Sequence, residues 1–417
     1  MKKITTVILV AGKSSRFKNK TAKIFHELAG LPIIDHIFNK VKKVSDEVVF
    51  VCNEQNIKIM REKFKGCKFA IQKKQKGTAD AVLSAKKFIN KNNSVLILFG
   101  DTPLISFITL KKLIKHYFKS NISGSMIAFI AKNPFAYGRV LLKNNKVVSV
   151  EEEINATNDI KKINLCNSGV MITSFNHLFN TIRNVRDNNI KKEKYLPDIF
   201  KISFKNNKSF NYILCNENEM LGINSLNDFN VVDNIYQKYL KNKLTDSGVT
   251  IIDPDTVRVS YDTKIGKHSI LEPNVTIKTG VKIDESVIIK SFSYIENSKI
   301  GKNCSVGPFA RIRPKTILDS FVKIGNYVEI KNSKIGRKSS ISHLSYIGDS
   351  QLGKNVNIGA GTITCNYDGK NKNKTVIEDN VFVGSNCSLV APLKIKKNSK
   401  IGAGSVITKD IPSNSLA

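Results

Sequence analysis

Two sets of residues in this chain have the types and spacing for chemistry. The first begins at Asp101, which follows the apolar run Val95–Phe99 in Gly100-Asp101-Thr102-Pro103. A carboxylate at the end of a buried strand suits Mg²⁺ if phosphate is near, because Mg²⁺ takes few protein oxygens and completes its shell with water and substrate phosphate. A phosphate cradle is signalled upstream. Leu9-Val10-Ala11-Gly12-Lys13-Ser14-Ser15-Arg16 is a small-residue loop after the apolar run Val7–Val10. Its amides can wrap phosphate oxygens and the Arg16 guanidinium can grip them as a fork. The spacing of a Walker loop is missing. Lys23 and His26 follow, and Gln72 precedes Gly77-Thr78-Ala79 at a helix start. Singly, these residues are equally consistent with a plain β-to-α turn and an N-cap aspartate before proline. Together they outline a phosphate-binding cleft.

The second set lies between residues 313 and 367. Arg313 and Lys331 are 18 apart, His343 sits two residues after Ile341, and Asn366-Tyr367 opens a polar stretch. Two stacked cations make a phosphate site. Singly, each is ordinary solvated surface. His343 lies between that pair and the polar stretch, which makes it the best base available. Ser385 and Ala403 are again 18 apart.

The element that must position this second set is a six-residue repeat. From Ile265 onward an aliphatic residue returns about every six positions, often followed by glycine, as at Ile324-Gly325, Ile358-Gly359, Val383-Gly384 and Ile401-Gly402. This period predicts a parallel β-helix with one short strand per repeat and three repeats per coil, so that residues 18 apart stack. The glycines are expected to serve turn conformations. The frame slips by one residue at 330–335 and 347–352, and it is interrupted between Thr364 and Thr375 by a polar loop, a natural functional site on a rigid solenoid. A Greek-key sandwich would not keep this register.

The first ~230 residues alternate strand and helix patterns, the signature of an α/β domain. Strands are expected at Val7–Val10, Glu47–Cys52, Val95–Phe99, within 121–131, at Val170–Ile172 and at Tyr212–Cys215. Helices are expected at Pro32–Val44, Ile57–Phe64, Thr78–Ile89 and Leu226–Lys243. Val140–Glu152 reads as a hairpin turned by Asn144-Asn145. Such a Rossmann-like, mainly parallel mixed sheet binds ligands at the carboxyl ends of its strands. The expected domains are 1–225 (α/β), 226–248 (linker helix) and 249–417 (parallel β-helix).

Composition narrows the class. The formal charge of +33 is spread over both halves, +21 for residues 1–230 and +12 for the rest. A nucleic-acid binder concentrates its charge on one face, so no nucleic-acid partner is expected. No run is long enough to span a bilayer, and no signal peptide precedes the first strand. Seven cysteines without a Cys-x-x-Cys pair indicate reduced thiols and no zinc site. A cytoplasmic protein without membrane insertion is expected.

The ladder resembles the left-handed β-helix acyltransferases, whose members trimerise. The first half resembles the sugar-nucleotide pyrophosphorylases, through Gly12–Arg16, Lys23, Gln72, Gly77-Thr78, Asp101, Tyr137-Gly138-Arg139, Glu152, Asn167 and Gly222-Ile223-Asn224. Joined in this order, over essentially the whole chain, they resemble the bacterial bifunctional N-acetylglucosamine-1-phosphate uridylyltransferase/glucosamine-1-phosphate acetyltransferase family. The resemblance implies a uridine pocket at Leu9, Ala11, Gly12, Gln72, Gly77 and Thr78. It implies sugar contacts at Gly138, Glu152 and Asn167, Mg²⁺ on Asp101 and Asn224, and Arg16 and Lys23 on the phosphates. In the ladder it implies Arg313, Lys331, Tyr346 and Asn357 on glucosamine-1-phosphate and His343 as base. Asn366, Tyr367, Ser385 and Ala403 would line the acetyl-CoA side, with the Ala360 backbone near the thioester. The partners implied are UTP, N-acetylglucosamine-1-phosphate, glucosamine-1-phosphate and acetyl-CoA, in a homotrimer feeding peptidoglycan and lipopolysaccharide synthesis.

The chain departs from the family pattern at Ser14 and Ser15, where glycine and threonine are usual, and at Asp80, where histidine is common. A serine forced into a left-handed conformation at position 14 costs roughly 1–2 kcal/mol. The family also continues beyond the position of Ala417, with an arginine near the coenzyme A phosphates, so weakened acetyl-CoA binding is expected of this sequence. Lys372 and Lys374 are the cations placed to substitute. A monofunctional nucleotidyltransferase with a structural β-helix would need neither His343 and Lys331 nor Asn366-Tyr367, and a non-enzymatic trimeric scaffold would need none of the first set.

Overall fold

A computed structural model describes residues 3–12, 17, 22–120, 122–187, 189–190 and 192–417. The chain divides into two compact units, Met1–Asp233 and Asn234–Ala417. The division falls within the helix Leu226–Asp246, which outlasts the expected Leu226–Lys243 by three residues.

The first unit is built on a nine-stranded mixed sheet. Its strands are β1 Ile4–Leu9, β2 Glu47–Cys52, β3 Lys68–Ile71, β4 Ser94–Phe99, β5 Gly124–Ile130, β6 Arg139–Lys143, β7 Lys146–Glu151, β8 Leu165–Ser174 and β9 Phe210–Cys215. Their spatial order is β3-β2-β1-β4-β8-β5-β9-β7-β6. β3, β2, β1 and β4 run parallel, whereas β8 is antiparallel to both β4 and β5. The apolar runs follow from burial on both faces. Val7 and Leu9 of β1 join one core with Val49, Val51 and Ile97, while Ile8 joins the other with Phe50, Leu96 and Leu98. Ile33–Val41 is helical and buries Ile33, Ile34, Ile37 and Val41. The expected helix Thr78–Ile89 is α-helical to Ala85 and continues as a 3₁₀ turn, Lys86–Phe88. Asn144 and Asn145 do turn the β6–β7 hairpin, at φ 51° and 57°, as a type I′ turn requires.

The second unit is a left-handed β-helix of three parallel sheets with nine, eight and eight short strands. Aliphatic side chains stack along its axis, for example Ile324, Ile341, Ile358, Val383 and Ile401, all buried. Successive coils advance by 17 or 18 residues, as in Ile324 over Val306 and Ile341 over Ile324. The step from Ile358 to Val383 contains the polar loop and preserves the pairing.

The glycines after the core aliphatics have a different role from the one expected. None of Gly325, Gly336, Gly348, Gly359 and Gly384 has a positive φ. Space is what excludes a side chain there: a Cβ on Gly325 would lie 1.8 Å from the Ser342 carbonyl oxygen of the next coil. The left-handed turn positions are taken instead by asparagines such as Asn355, Asn380 and Asn398, and along one edge by Phe292, Phe309, Tyr327 and Leu344.

Candidate active sites

In the first unit, a cleft of about 910 Å³ opens at the carboxyl ends of β1 and β4. Leu9, Ala11, Gly12, Lys23, Gln72, Gly77, Thr78, Asp101, Gly138, Glu152, Asn167 and Asn224 all line it. Arg16, with Ser14 and Ser15, lies outside the described residues.

Gly77 has φ +105°, and a Cβ there would meet the Lys194 carbonyl oxygen at 2.4 Å. That close approach lets Ala79 N donate to Lys194 O at 2.9 Å, and Leu196 N donates to the Thr78 hydroxyl at 2.9 Å. The helix start is thereby tied to a segment more than a hundred residues away. Gln72 Nε2 donates to Gly77 O and to Asp80 Oδ2, both at 3.0 Å. Asp80 thus fixes the Gln72 amide through its nitrogen.

Opposite, a bulge in β8 between Asn167 and Met171 aims Asn167 into the cleft. Gly169 makes the bulge at φ +76°, its face against the Phe99 ring. Asn167 N donates to Gly138 O at 2.8 Å, joining two of the expected sugar contacts. Beneath them lies Arg139, 1% exposed. Its guanidinium pairs with Glu153 at 2.6 Å and donates to the carbonyls of Tyr137 and Lys161. It holds the Glu153 carboxyl below the usual carboxylate range.

The metal candidates meet at the cleft floor. Lys23 Nζ donates to Asp101 Oδ2 at 2.7 Å and to Asn224 Oδ1 at 3.1 Å. Ile223 N donates to Asp101 O at 2.9 Å. Asp228 Oδ2 accepts from Asn224 N and Ser225 N, while Asp228 N donates to Ser225 Oγ. This is a capping box. The Ser225-x-x-Asp228 spacing announces it in the sequence. It fixes Asn224 at the start of a helix.

In the second unit, the residues of the second set form two columns. Asn326 pairs with His343 on adjacent coils. Ala360, Ser385 and Ala403 each stand two residues beyond the paired Ile358, Val383 and Ile401, so they continue that column past His343. The other column runs through Arg313, Lys331 and Gly348. Arg313 is not a free cation: it donates to Glu329 Oε1 at 2.7 Å, and that contact pushes its pKa up. Lys331 faces Lys372 from the polar loop, and that neighbour, with desolvation and Arg313, pushes its pKa down. A third cation beside the Arg313–Lys331 pair was not expected. The Tyr346 hydroxyl and the Asn366 amide close over Gly348, at 2.5 and 2.8 Å from where its Cβ would be. Asn366 is buried and tied to Asp349, whereas Tyr367 is 61% exposed and donates to Gly369 O at 2.7 Å. Asn357 is half-buried on the His343 sheet.

His343 is exposed, and its Nδ1 lies 2.9 Å from Asn326 Oδ1. An amide oxygen can only accept, so in the neutral ring Nδ1 carries the proton and Nε2 presents its lone pair. Asn326 was missed in the sequence because only the coil register brings it to the histidine.

Comparisons with known proteins fit this division. A MobA-like NTP transferase domain matches residues 6–154. A GMPPB C-terminal domain matches 247–324, and six bacterial transferase hexapeptide repeats match 374–409. The chain is 40% identical over 416 residues to the bifunctional protein GlmU of Bartonella bacilliformis, covering 99% of this chain and 92% of that one. The chain belongs to the GlmU family. GlmU of Bartonella quintana is also 40% identical, over 100% of this chain and 94% of the relative. GlmU of Buchnera aphidicola is 40% identical over 98% and 93%. As a GlmU, this protein is a bifunctional enzyme of UDP-N-acetylglucosamine synthesis, with a nucleotidyltransferase half and a hexapeptide acyltransferase half.

Proposed function

We propose that the column headed by His343 acetylates glucosamine-1-phosphate and that the cleft around Asp101 uridylylates the product. In the first step His343 Nε2 takes a proton from the amine, and the nitrogen attacks the thioester carbonyl carbon. The C–S bond breaks and the coenzyme A thiolate leaves and is protonated. Arg313 and Lys331, with Tyr346 and Asn357, hold the sugar phosphate. Asn366 and Tyr367 flank the donor, with Ala360, Ser385 and Ala403 as its small-residue track. The mutual repulsion of Lys331 and Lys372 supports an anion between them.

In the second step a phosphate oxygen of N-acetylglucosamine-1-phosphate attacks the α-phosphorus of UTP, and the bond to the leaving pyrophosphate breaks. Leu9, Ala11, Gly12, Gln72, Gly77 and Thr78 seat the uridine, and Gly138, Glu152 and Asn167 seat the sugar. Lys23 and Arg16 neutralise phosphate charge. Asp101 and Asn224 suit Mg²⁺, since one ammonium already touches both oxygens. When bound, that ion would screen the phosphates and stabilise the charge developing on the leaving group.

The assembly is a homotrimer in this reading. Its support is an exposed aromatic stack on the edge adjoining His343: Phe292, Phe309 and Tyr327, with 5.0 Å between successive ring centroids. Among the described residues no helix is long and apolar enough to cross a membrane, and the seven cysteines are free. Both fit a cytoplasmic enzyme.

The observation that supports the two-site reading is that each set of residues lies within its own compact unit. The test supplies UTP, Mg²⁺, glucosamine-1-phosphate and acetyl-CoA together and looks for UDP-N-acetylglucosamine. Asp101→Ala should stop uridylyl transfer and leave acetyl transfer nearly intact. His343→Ala should lower acetyl transfer by ~10²–10⁴-fold and spare the other step. Equal loss of both activities in either folded variant overturns the reading.

A further inference from the structure

We propose that Lys23 closes the metal site with a cation of the chain's own, so that metal enters effectively only when a nucleotide draws this lysine away. The inference rests on Asp101 and Asn224 being the metal ligands.

The Lys23 ammonium bridges the two oxygens a metal would need, 2.7 Å from Asp101 Oδ2 and 3.1 Å from Asn224 Oδ1. Both side chains of the ion pair are largely buried, Lys23 12% exposed and Asp101 23%. A Mg²⁺ ion held by these same two oxygens would sit about 2.0–2.1 Å from each, in the space the ammonium now occupies. The two cations therefore compete for one place. The protein offers little to tip the contest toward free metal. Among the described residues no three His, Cys, Asp or Glu side chains gather around a possible ion. Asp228 Oδ2 is already engaged in capping Asn224 N and Ser225 N.

Nucleotide phosphates change that balance. They offer Lys23 a new anionic partner in the same cleft, and they supply the oxygens that the metal shell lacks. Each ligand then favours the other, and by linkage the effect is reciprocal. Lys23 would thus have two successive partners, the aspartate in the free enzyme and phosphate in the loaded one. Metal alone is refused because its place is taken.

The experiment measures Mn²⁺ binding to the full chain by electron paramagnetic resonance, with and without UTP. Using about 1 M KCl, where the screening length is ~3 Å, removes the general effect of deleting a charge. Displacing a charge-assisted hydrogen bond is equivalent to about 10–100-fold in affinity. Lys23→Met should therefore bind Mn²⁺ about 10–100-fold more tightly than the unaltered enzyme when no UTP is present. The enhancement of Mn²⁺ binding by UTP should shrink accordingly, and adding Asp101→Asn should remove the gain. If Lys23→Met binds Mn²⁺ no better, while Asp101→Asn still weakens binding with UTP present, the metal site stands and its closure by lysine is wrong. If Asp101→Asn alters Mn²⁺ binding in neither state, the metal assignment falls, and this inference with it.

Discussion

Replacing Asn326 by aspartate should change the pH dependence of acetyl transfer while keeping the contact to His343. The amide oxygen lies 2.9 Å from His343 Nδ1. A full negative charge at that distance, on an exposed edge where the effective dielectric constant approaches that of water, interacts with an imidazolium by about 1.4 kcal/mol. That corresponds to about one pH unit. The carboxylate favours the protonated ring, and the protonated ring cannot accept a proton from the amine. The acid limb of kcat/KM for acetyl transfer should therefore move to higher pH by about one unit, with the alkaline plateau retained. Asn326→Ala should leave the limb in place and lower the plateau by about 2–12-fold, the net effect of one hydrogen bond. The assay is thiol release from acetyl-CoA across pH 5.5–9, with uridylyl transfer as the internal control. An unmoved limb in the aspartate variant and a normal rate in the alanine variant together would refute a role for Asn326 in orienting the base.

Three further outcomes follow from the first unit. Arg139→Met should destabilise it by about 1–3 kcal/mol in a urea titration followed by uridylyl activity, because the Tyr137 and Lys161 carbonyls lose a donor from a buried guanidinium; the KM for the sugar phosphate should rise more than that for UTP. Gly77→Ala must separate the helix start from the Lys194 carbonyl and adopt a left-handed backbone, so uridylyl kcat/KM should fall while acetyl transfer persists, with about 1–2 kcal/mol lost in melting. Burial holds the His36 imidazole down to about 4 from its ordinary 6.5, so the unfolded chain binds the extra proton first. Stability from this residue is present above pH 6.5 and is lost as the pH falls toward 4, with a limiting slope of about 1.4 kcal/mol per pH unit; His36→Gln should flatten that part of a melting-temperature profile.

How far these sites could be read from sequence depended on how local their causes are. Val95–Phe99 and Val7–Val10 announce themselves because strands buried on both faces need uninterrupted apolar residues. The ladder announces itself because a coil repeats its core positions at short range. What stayed hidden depends on contacts across long sequence separations. Glu329 on Arg313 and Asn326 on His343 follow only from the mix of 17- and 18-residue steps, which no single hexad reveals, and Lys372 reaches Lys331 from a loop outside the repeat. Lys194 beneath Gly77 joins segments that share no pattern. The Ser225–Asp228 box is local and legible in the sequence, just ahead of the helical periodicity. The hexad glycines illustrate a different failure. Their positions were plain, but conformational freedom and lack of room leave the same letter in the sequence, and only the neighbouring coil's carbonyl decides between them.

That the polar loop leaves the pairing of Ile358 with Val383 intact has a consequence for how such an enzyme can change. Neighbouring strands stand about 4.8 Å apart, so the distances from His343 to Ala360, Ser385 and Ala403 come in whole steps and cannot drift. The loop bearing Asn366 and Tyr367 leaves the coil and rejoins it without altering that count. Substitutions and length changes there can reshape what is recognised while the ruler underneath keeps its divisions. A whole added coil, by contrast, would displace every later contact by one full division at once. Recognition is therefore free to vary continuously, and reach only by integers.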